Sequence, residues 1–353
     1  MSATTAVSIA VPPKPADPSP RELPLRFTGS AVDYFRIWIV NVCLTLLTFG
    51  IFSAWAKVRK KRYFYSHTVL DGTPFQYLGQ PIPILKGRIV ATALFGLWYV
   101  GTHYVIELLP VVGVLAFVLA PWVLVRSAAF NARYSAYRNI TFRFDGSYWS
   151  AAKVLYGWLL VTLVTFGIGF SWWQQRLKRY QLTRLSYGGV HGEFNASGGR
   201  YFRTYMLASL LFVFGAVALG GLSALVVAGG GGKMFYVVVF TAGIYVIYIA
   251  MFAYIRAHVT NLVWNHTLLG PLRFESRLRA RGLLGLYVSN IIAILLSAGL
   301  LIPWATVRIH QYRAAHLTVT LDGNIEEFQG ASGATVQAVA AEVGEFFDFD
   351  LSV

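Results

Sequence analysis

The sequence predicts an α-helical multi-pass membrane protein built from internal repeats, with short cytoplasmic β-hairpins. Three observations predict it. Of 353 residues, 56% are hydrophobic and 13% charged, whereas an ordinary soluble domain carries about 25% charged residues. Seven apolar segments, 34–56, 87–109, 111–130, 151–173, 201–228, 235–257 and 283–306, are each long enough to cross a bilayer of about 30 Å at about 1.5 Å per residue. The third observation is that the chain repeats itself. Phe27–Gly72 matches Phe144–Gly189 at a constant offset of 117, and Ile294–His316 returns at an offset of 249 from the first copy. A fixed-offset match over tens of residues is the mark of internal duplication.

The N-terminal stretch, residues 1–22, lacks a continuous apolar core and holds five prolines up to Pro20. It reads as a disordered Pro-rich cytoplasmic tail and not as a signal peptide. Repeat unit 1 then covers 23–143, unit 2 144–273 and a partial unit 3 274–330, before an acidic tail over 331–353. Each clear copy carries W-x3-R-x3-Y-x3-(H/R): Trp55, Arg59, Tyr63, His67; Trp172, Arg176, Tyr180, Arg184; and Trp304, Arg308, Tyr312, His316. Positions four apart share a helix face. Each copy therefore presents an aromatic and cationic stripe where the helix leaves the apolar zone. Two degenerate copies keep Trp122 with Arg126, and Arg256. Trp and Tyr favour the headgroup level and Arg favours phosphate, so the stripes read as membrane-interface anchors or as a lipid or substrate pocket shared among copies.

All five helix ends lead into strand-like pieces with a Gly turn, starting at Thr68, Asn139, Leu185, Asn265 and Leu317. These are hairpin signals. Lipid cannot satisfy open strand edges, so five hairpins on one side pair into a small sheet or barrel-like cap in water or under protein cover.

Cation placement bears on topology. The connectors 56–88, 126–153, 174–203, 256–281 and 308–313 hold 25 of the 30 Lys and Arg. Seven simple spans would put the matching first and fourth segments in opposite directions and split the cations about evenly. If segments one, four and seven enter and leave on one face, nearly all cations fall on that face, as the positive-inside rule prefers. Gly50, Gly167 and Gly299 sit mid-segment and mark the bends of such re-entrant pairs. An inverted-topology repeat of the transporter kind is the rival. Both termini are expected to be cytoplasmic.

With these motifs in hand, Asn41–Gly79 closely resembles the YjgN-like family of bacterial inner-membrane proteins, a domain family of unknown function, over roughly Leu23 to Gly330. The resemblance implies a multi-pass inner-membrane location and supplies no catalytic residues. One departure is that the Pro before Trp is Ala54 here and Ser171 in the second copy, while Pro121 and Pro303 keep it.

No cofactor or metal is expected. AGGGGKMF, 228–235, lacks the glycine spacing and hydroxyl residue of a phosphate loop. The seven histidines make no H-x3-H, and the lone Cys43 permits neither an internal disulfide nor a Cys-based metal site. With no nucleophile elbow either, the chain does not read as an enzyme. His103 and Glu107 are polar candidates within the second apolar segment, and ionisable residues inside a span are functional candidates. Asn41, Asn131 and Asn261 read as bridging hydrogen-bond groups. The net charge of +15 suits anionic lipid headgroups at the cytoplasmic face and, on a membrane protein, no nucleic acid. The acidic C-terminal piece either docks on that basic face or stays loosely ordered. Two function classes stay open: transport or lipid handling through a pocket between repeats, and a non-catalytic scaffold that binds a protein partner of unknown kind through its hairpin layer.

Overall fold

A computed structural model describes residues 20–322, less Asn139, Gly188 and Gly231. The tails at 1–19 and 323–353 lie outside the described residues, and the acidic-tail reading with them. Strand β1 (Arg21–Leu23) is followed across Pro24 by β2 (Leu25–Phe27). Helices α1 (Ala31–Leu47) and α2 (Ser53–Ser66) come next, then β3 (Thr68–Leu70), β4 (Thr73–Pro74) and β5 (Gln76–Tyr77). Helices α3 (Pro81–His103) and α4 (Leu108–Tyr134) lead to β6 (Ser135–Tyr137), β7 (Ile140–Thr141) and β8 (Arg143–Phe144). A third helical arm runs through α5 (Tyr148–Ala152), a π-helical turn (Lys153–Gly157) and α6 (Trp158–Val164), and returns as α7 (Phe170–Thr183). After β9 (Leu185–Tyr187) and β10 (Val190–Phe194) come α8 (Gly198–Ala228) and α9 (Lys233–Trp264), then β11 (Thr267–Leu269) and β12 (Leu272–Ser276). Helices α10 (Ala280–Leu296) and α11 (Ile302–Ala315) and strand β13 (Leu317–Leu321) complete the described order.

The strands close on themselves. β2 pairs with β3, β3 with β4, β5 with β6, β6 with β7, β8 with β9, and so on through β10, β11, β12 and β13, which returns to β1, all antiparallel. Single residues interrupt three of the runs: Pro24 between β1 and β2, Phe75 between β4 and β5, Phe142 between β7 and β8. Each interrupted run pairs with one neighbour before the break and another after it, so the ladder continues around a barrel. Closure removes the open edges that a small sheet would expose.

The register also fixes which way the helices leave. Phe27 faces Thr68, Tyr77 faces Ser135, Phe144 faces Leu185, Phe194 faces Thr267 and Ser276 faces Leu317. In each case one strand ends into a helix pair and its partner begins from that same pair. All five helix pairs therefore leave and rejoin the barrel at one rim. The hairpin turns near Asp71, Arg138, Gly189 and Gly270, together with Arg21 and Asp322, lie at the other. The expected hairpin after Leu317 differs: its first strand pairs with the N-terminal β1, and the rest of it lies outside the described residues. β1 also begins at Arg21, inside the stretch read as tail. The unit boundaries at 143/144 and 273/274 cut β8 and β12, so the units share one barrel.

Side chains fill that barrel. Inward positions alternate along each strand, as in Leu317, Val319 and Leu321 of β13, all 6% exposed or less. Leu70, Phe75, Tyr77, Ile140, Phe142, Tyr187 and Leu269 join the same cluster. Tyr65 from α2 and Trp264 from α9 close its helix-side mouth.

Helix lengths differ by pair. α3, α4, α8 and most of α9 are long and apolar enough to cross a membrane. The apolar segments 34–56, 151–173 and 283–306 are not continuous helices; each turns back on itself. The turns are alike. Phe49, Phe166 and Ala298 take φ of 48°, 50° and 48°, and Gly50, Gly167 and Gly299 follow at 90°, 91° and 91°. The glycine N–H reaches back five residues at 2.8 Å, to Thr45, Thr162 and Ile294 carbonyls. A hydroxyl two residues earlier then accepts from the next helix: Thr48 from Phe52 N–H, Thr165 from Gly169 and Ser297 from Leu301, at 2.9–3.0 Å. These bonds satisfy backbone groups that a helix end leaves open, which matters most where no water can do so.

Candidate functional site

The aromatic–cation stripes lie along α2, α4, α7, α9 and α11, each near the barrel rim. Their tyrosines serve the fold. Ser30 caps α1 and Ser147 caps α5. The carbonyl of each serine accepts a hydrogen bond from the tyrosine of the returning helix, Tyr63 at 2.7 Å and Tyr180 at 3.2 Å. The preceding glycine lets this lock close. A Cβ on Gly29 would sit 2.6 Å from the Phe27 ring, and one on Gly146 2.3 Å from the Phe144 ring and 2.5 Å from Tyr180 Oη. The shared F-x-G-S thus encodes an aromatic folded over glycine, a helix cap and a socket for tyrosine. Tyr312 packs instead against Gly282, where a Cβ would lie 2.1 Å from its hydroxyl oxygen.

The arginines form the more open part of the set. Arg59 lies over Phe52 at 5.3 Å, Arg126 over Trp122 at 5.9 Å, Arg176 over Trp158 at 5.5 Å, Arg256 over Phe252 at 5.0 Å and Arg308 over Trp304 at 4.9 Å. Each aromatic partner belongs to the same helix pair as its arginine. The stripes thus make five stations around the ring. Arg59, Arg126 and Arg176 are exposed, so their guanidinium groups can meet an anion while the aromatic face restrains them. Arg308 is tied down further, donating to Ser289 Oγ at 2.7 Å and Asn290 Oδ1 at 3.2 Å. Trp55 stacks on Phe52 and Trp172 on Phe202 of α8. His67 and His316 each pack on the tyrosine four residues earlier and bond its carbonyl, at 2.7 and 2.8 Å. Arg184 is exposed at the end of α7.

His103 is the last residue of α3, and Glu107 immediately precedes α4. Both are exposed at the reversal between α3 and α4, at the end of that pair away from the barrel, which puts them at a helix end and not midway along a span. Asn131 accepts from Lys61 Nζ at 3.4 Å, and Asn261 bridges to Ser276 and Leu278. Asn41 is buried in α1.

A second group went unseen in the sequence. On α11, His310 and Arg313 are 3% and 6% exposed. His310 stacks on Phe64 at 4.1 Å and on Phe27 at 5.6 Å, and those two rings lie 5.7 Å from each other. Burial, then the nearby Arg313 and Lys60, hold its imidazole well below the usual histidine range. Arg313 is itself lowered by burial, offset by Tyr287, with which it shares a hydrogen bond. Nothing in a W-x3-R-x3-Y pattern separates His310 from an exposed neighbour, because its burial comes from the packing of α11 on the first unit.

The neutral His310 predicts a pH dependence. Its folded-state affinity for protons lies below that of a free histidine, about 6.5. The unfolded chain then binds the extra proton, so stability is fully present above about pH 6.5 and lost as pH falls, by at most about 1.4 kcal/mol per unit. The melting temperature in neutral detergent should drop between pH 7 and 5, and His310→Gln should flatten that slope. Equal slopes for the two proteins would show that His310 is not the titrating group.

Residues 22–346 match the bacterial family of unknown function DUF898. The chain belongs to that family. Similar proteins include the inner membrane protein YjgN of Escherichia coli strain K12, 31% identical over 115 residues. YjgN of Salmonella typhimurium strain LT2 is 45% identical over 53 residues. The matched stretches cover 31% and 15% of this chain and 27% and 13% of those relatives, so the chain spans about a quarter or less of their length. The resemblance to the YjgN-like family is thereby borne out. Together with the four long apolar helices, it makes this a membrane protein of a family without an assigned activity. No solved structure matches the chain.

Proposed function

We propose that the protein lies in the bacterial inner membrane, with its barrel and both termini on the cytoplasmic side, and handles lipid. Self-similarity at offsets of 117 and 249 is read as duplication of a unit made of one short and one long helix pair. The observation that carries the proposal is the difference in pair lengths, short and long in turn along the chain, with two short pairs side by side where α11 packs on α1. α8 and α9 have 31 and 32 residues, while α1 and α2 have 17 and 14, as do α10 and α11. At about 1.5 Å per residue the first are about 46–48 Å long and the others about 21–26 Å. The short pairs therefore end within the hydrocarbon, and their tips are apolar: Phe49 and Phe166 are 98% exposed, beside exposed Leu47, Ile51, Leu163 and Ile168. Such tips are unfavourable in water and favourable in acyl chains.

Above each short pair the bilayer is thinned, and below it the exposed Arg59 or Arg176 stands at the headgroup level. A lipid headgroup crossing there has a shorter apolar path. Solute transport through the axis is the weaker version, since Phe75, Ile140 and Val319 fill the barrel. A scaffold that adds a partner strand is weaker too, because the described strands close a ring. The partners proposed are anionic lipids, not nucleic acid.

The test is lipid exchange between leaflets. Protein reconstituted into vesicles carrying a fluorescent phosphatidylglycerol should let dithionite quench inner-leaflet label that protein-free vesicles protect. Combined Arg59→Ala, Arg176→Ala and Arg308→Ala should slow it. Protection equal to protein-free vesicles would sink the proposal.

A further inference from the structure

We propose that Asn41 is a second seat for Arg59, whose side chain moves between an open position over Phe52 and a buried one on Asn41 and so gates an exposed cation of the ring. The seat does not depend on the lipid-handling reading, whereas its consequence for lipid rests on that reading. Asn41 is 7% exposed, and its side-chain oxygen is buried with no hydrogen-bond partner. A buried acceptor left without a donor costs free energy, most of all at a depth where no water can replace it. Arg59 is exposed and lies over Phe52 at 5.3 Å, and a guanidinium offers several N–H donors.

The last helix pair has the same seat filled. Asn290 and Arg308 stand at an offset of 249 from Asn41 and Arg59, as Gly299 does from Gly50. Asn290 Oδ1 accepts from Arg308 at 3.2 Å, and its amide donates to the Ala305 carbonyl at 3.4 Å. The two pairs share one register. Tyr34 stacks on Tyr63 at 5.3 Å, and Leu283 and Tyr312, at the matching positions, lie in one cluster. That register sets Asn41 opposite Ala56, the match of Ala305, about one helical turn from Arg59. Tyr34, Ile37, Trp38 and Asn41 have the spacing of one helix face. The first three pack with Tyr63, Phe64 and Val307, so Asn41 is turned toward the returning helix and α11.

The pairs differ in what else holds the arginine. Arg308 also donates to Ser289 Oγ at 2.7 Å. Val40, 46% exposed, stands where Ser289 does. Arg59 therefore has one polar group to bind there instead of two, and the open position competes. In the pair built from α5, α6 and α7, these places hold Gly157 and Trp158. Arg176 lies over Trp158 at 5.5 Å, where there is no amide to take it. Of the three matched arginines, Arg308 is tied down, Arg176 stays open and Arg59 has both positions. An anion at the headgroup level draws Arg59 outward, and its apparent affinity falls with the fraction of Arg59 seated inward.

The experiment uses full-length protein in neutral detergent. Phenylglyoxal modifies exposed guanidinium groups, and mass spectrometry of the digest gives the rate at each arginine. Asn41→Leu should raise the Arg59 rate about twofold, as removal of a seat filled about half the time does. Val40→Ser should lower the rate about threefold or more, and adding Asn41→Leu to it should abolish that loss. Arg176 is the internal reference, and its constant rate separates the seat from a general loosening of the fold. An Arg59 rate unchanged by Asn41→Leu, or lowered by Val40→Ser whatever stands at 41, overturns the proposal. Binding of soluble dihexanoyl phosphatidylglycerol reads the consequence for lipid: it should tighten about twofold in Asn41→Leu and weaken in Val40→Ser. Arg59 rates that shift as stated while no variant binds phosphatidylglycerol would support the seat and refute the lipid-handling reading.

Discussion

Phe75→Ala should lower the stability of the whole protein by about 3–5 kcal/mol, the range for removing a fully buried aromatic from a packed core. Phe75 is 1% exposed and packs against Tyr137 at 5.0 Å between ring centres. Its position raises the expected cost. It stands at the single-residue break between β4 and β5, where the run passes from pairing with β3 to pairing with β6. Its own N–H bonds the Thr68 carbonyl at 3.0 Å, so its backbone holds the ladder while its ring fills the interior. Phe142, 2% exposed, holds the matching place between β7 and β8, and Phe142→Ala should cost a similar amount. The two breaks lie on different pairings, so the double variant tests whether the barrel unfolds as one unit. Melting in neutral detergent followed by tryptophan fluorescence measures it. A loss below 1 kcal/mol for either variant would mean that the barrel is not the cooperative core.

Much of this architecture is legible from residue patterns, and the reasons are specific. Alternation in LTVTL and LRFES announces strands with one buried face, and Asp71-Gly72 or Gly270 announces turns. The repeated Gly50, Gly167 and Gly299 mark reversals because only glycine takes φ near 90° at no steric cost. The uneven placement of Lys and Arg points to helix pairs that return to one side, as the barrel register requires. Closure of the barrel is a different matter. β1 and β13 are far apart in sequence, and REL alone is too short to read as a strand. Its partner is specified only by the ring it completes. The stripe tyrosines mislead for a similar reason. Tyr63 and Tyr180 have the spacing of an interface belt, yet each hydroxyl is used on a serine carbonyl 33 residues earlier. The arginines four residues before them do stay open, so the pattern holds both a structural and an exposed half.

Gly50→Val should destabilise the first short helix pair by about 1–3 kcal/mol, the cost of forcing a branched residue into left-handed backbone. No heavy atom lies within 4 Å of a Cβ built on Gly50 or Gly167, so the penalty cannot come from a clash. It belongs to the backbone alone, and it falls where Phe49 already takes φ of 48°. Gly87→Ala supplies the contrast. That Cβ also meets open space, but Gly87 lies in the helix α3, and alanine there should stabilise by about 0.5–1 kcal/mol. The three reversals lie in separate helix pairs, so Gly50→Val, Gly167→Val and Gly299→Val should add, to about 3–9 kcal/mol. Straightening a reversal would carry α2 out of the first pair and pull β3 from its place beside β2. Loss of the short pairs should therefore appear as loss of the barrel, read by melting temperature and by protease sensitivity near Thr68. If Gly50→Val behaves like Gly87→Ala, the segment tolerates a continuous helix, and the re-entrant pair would have to give way to a simple span.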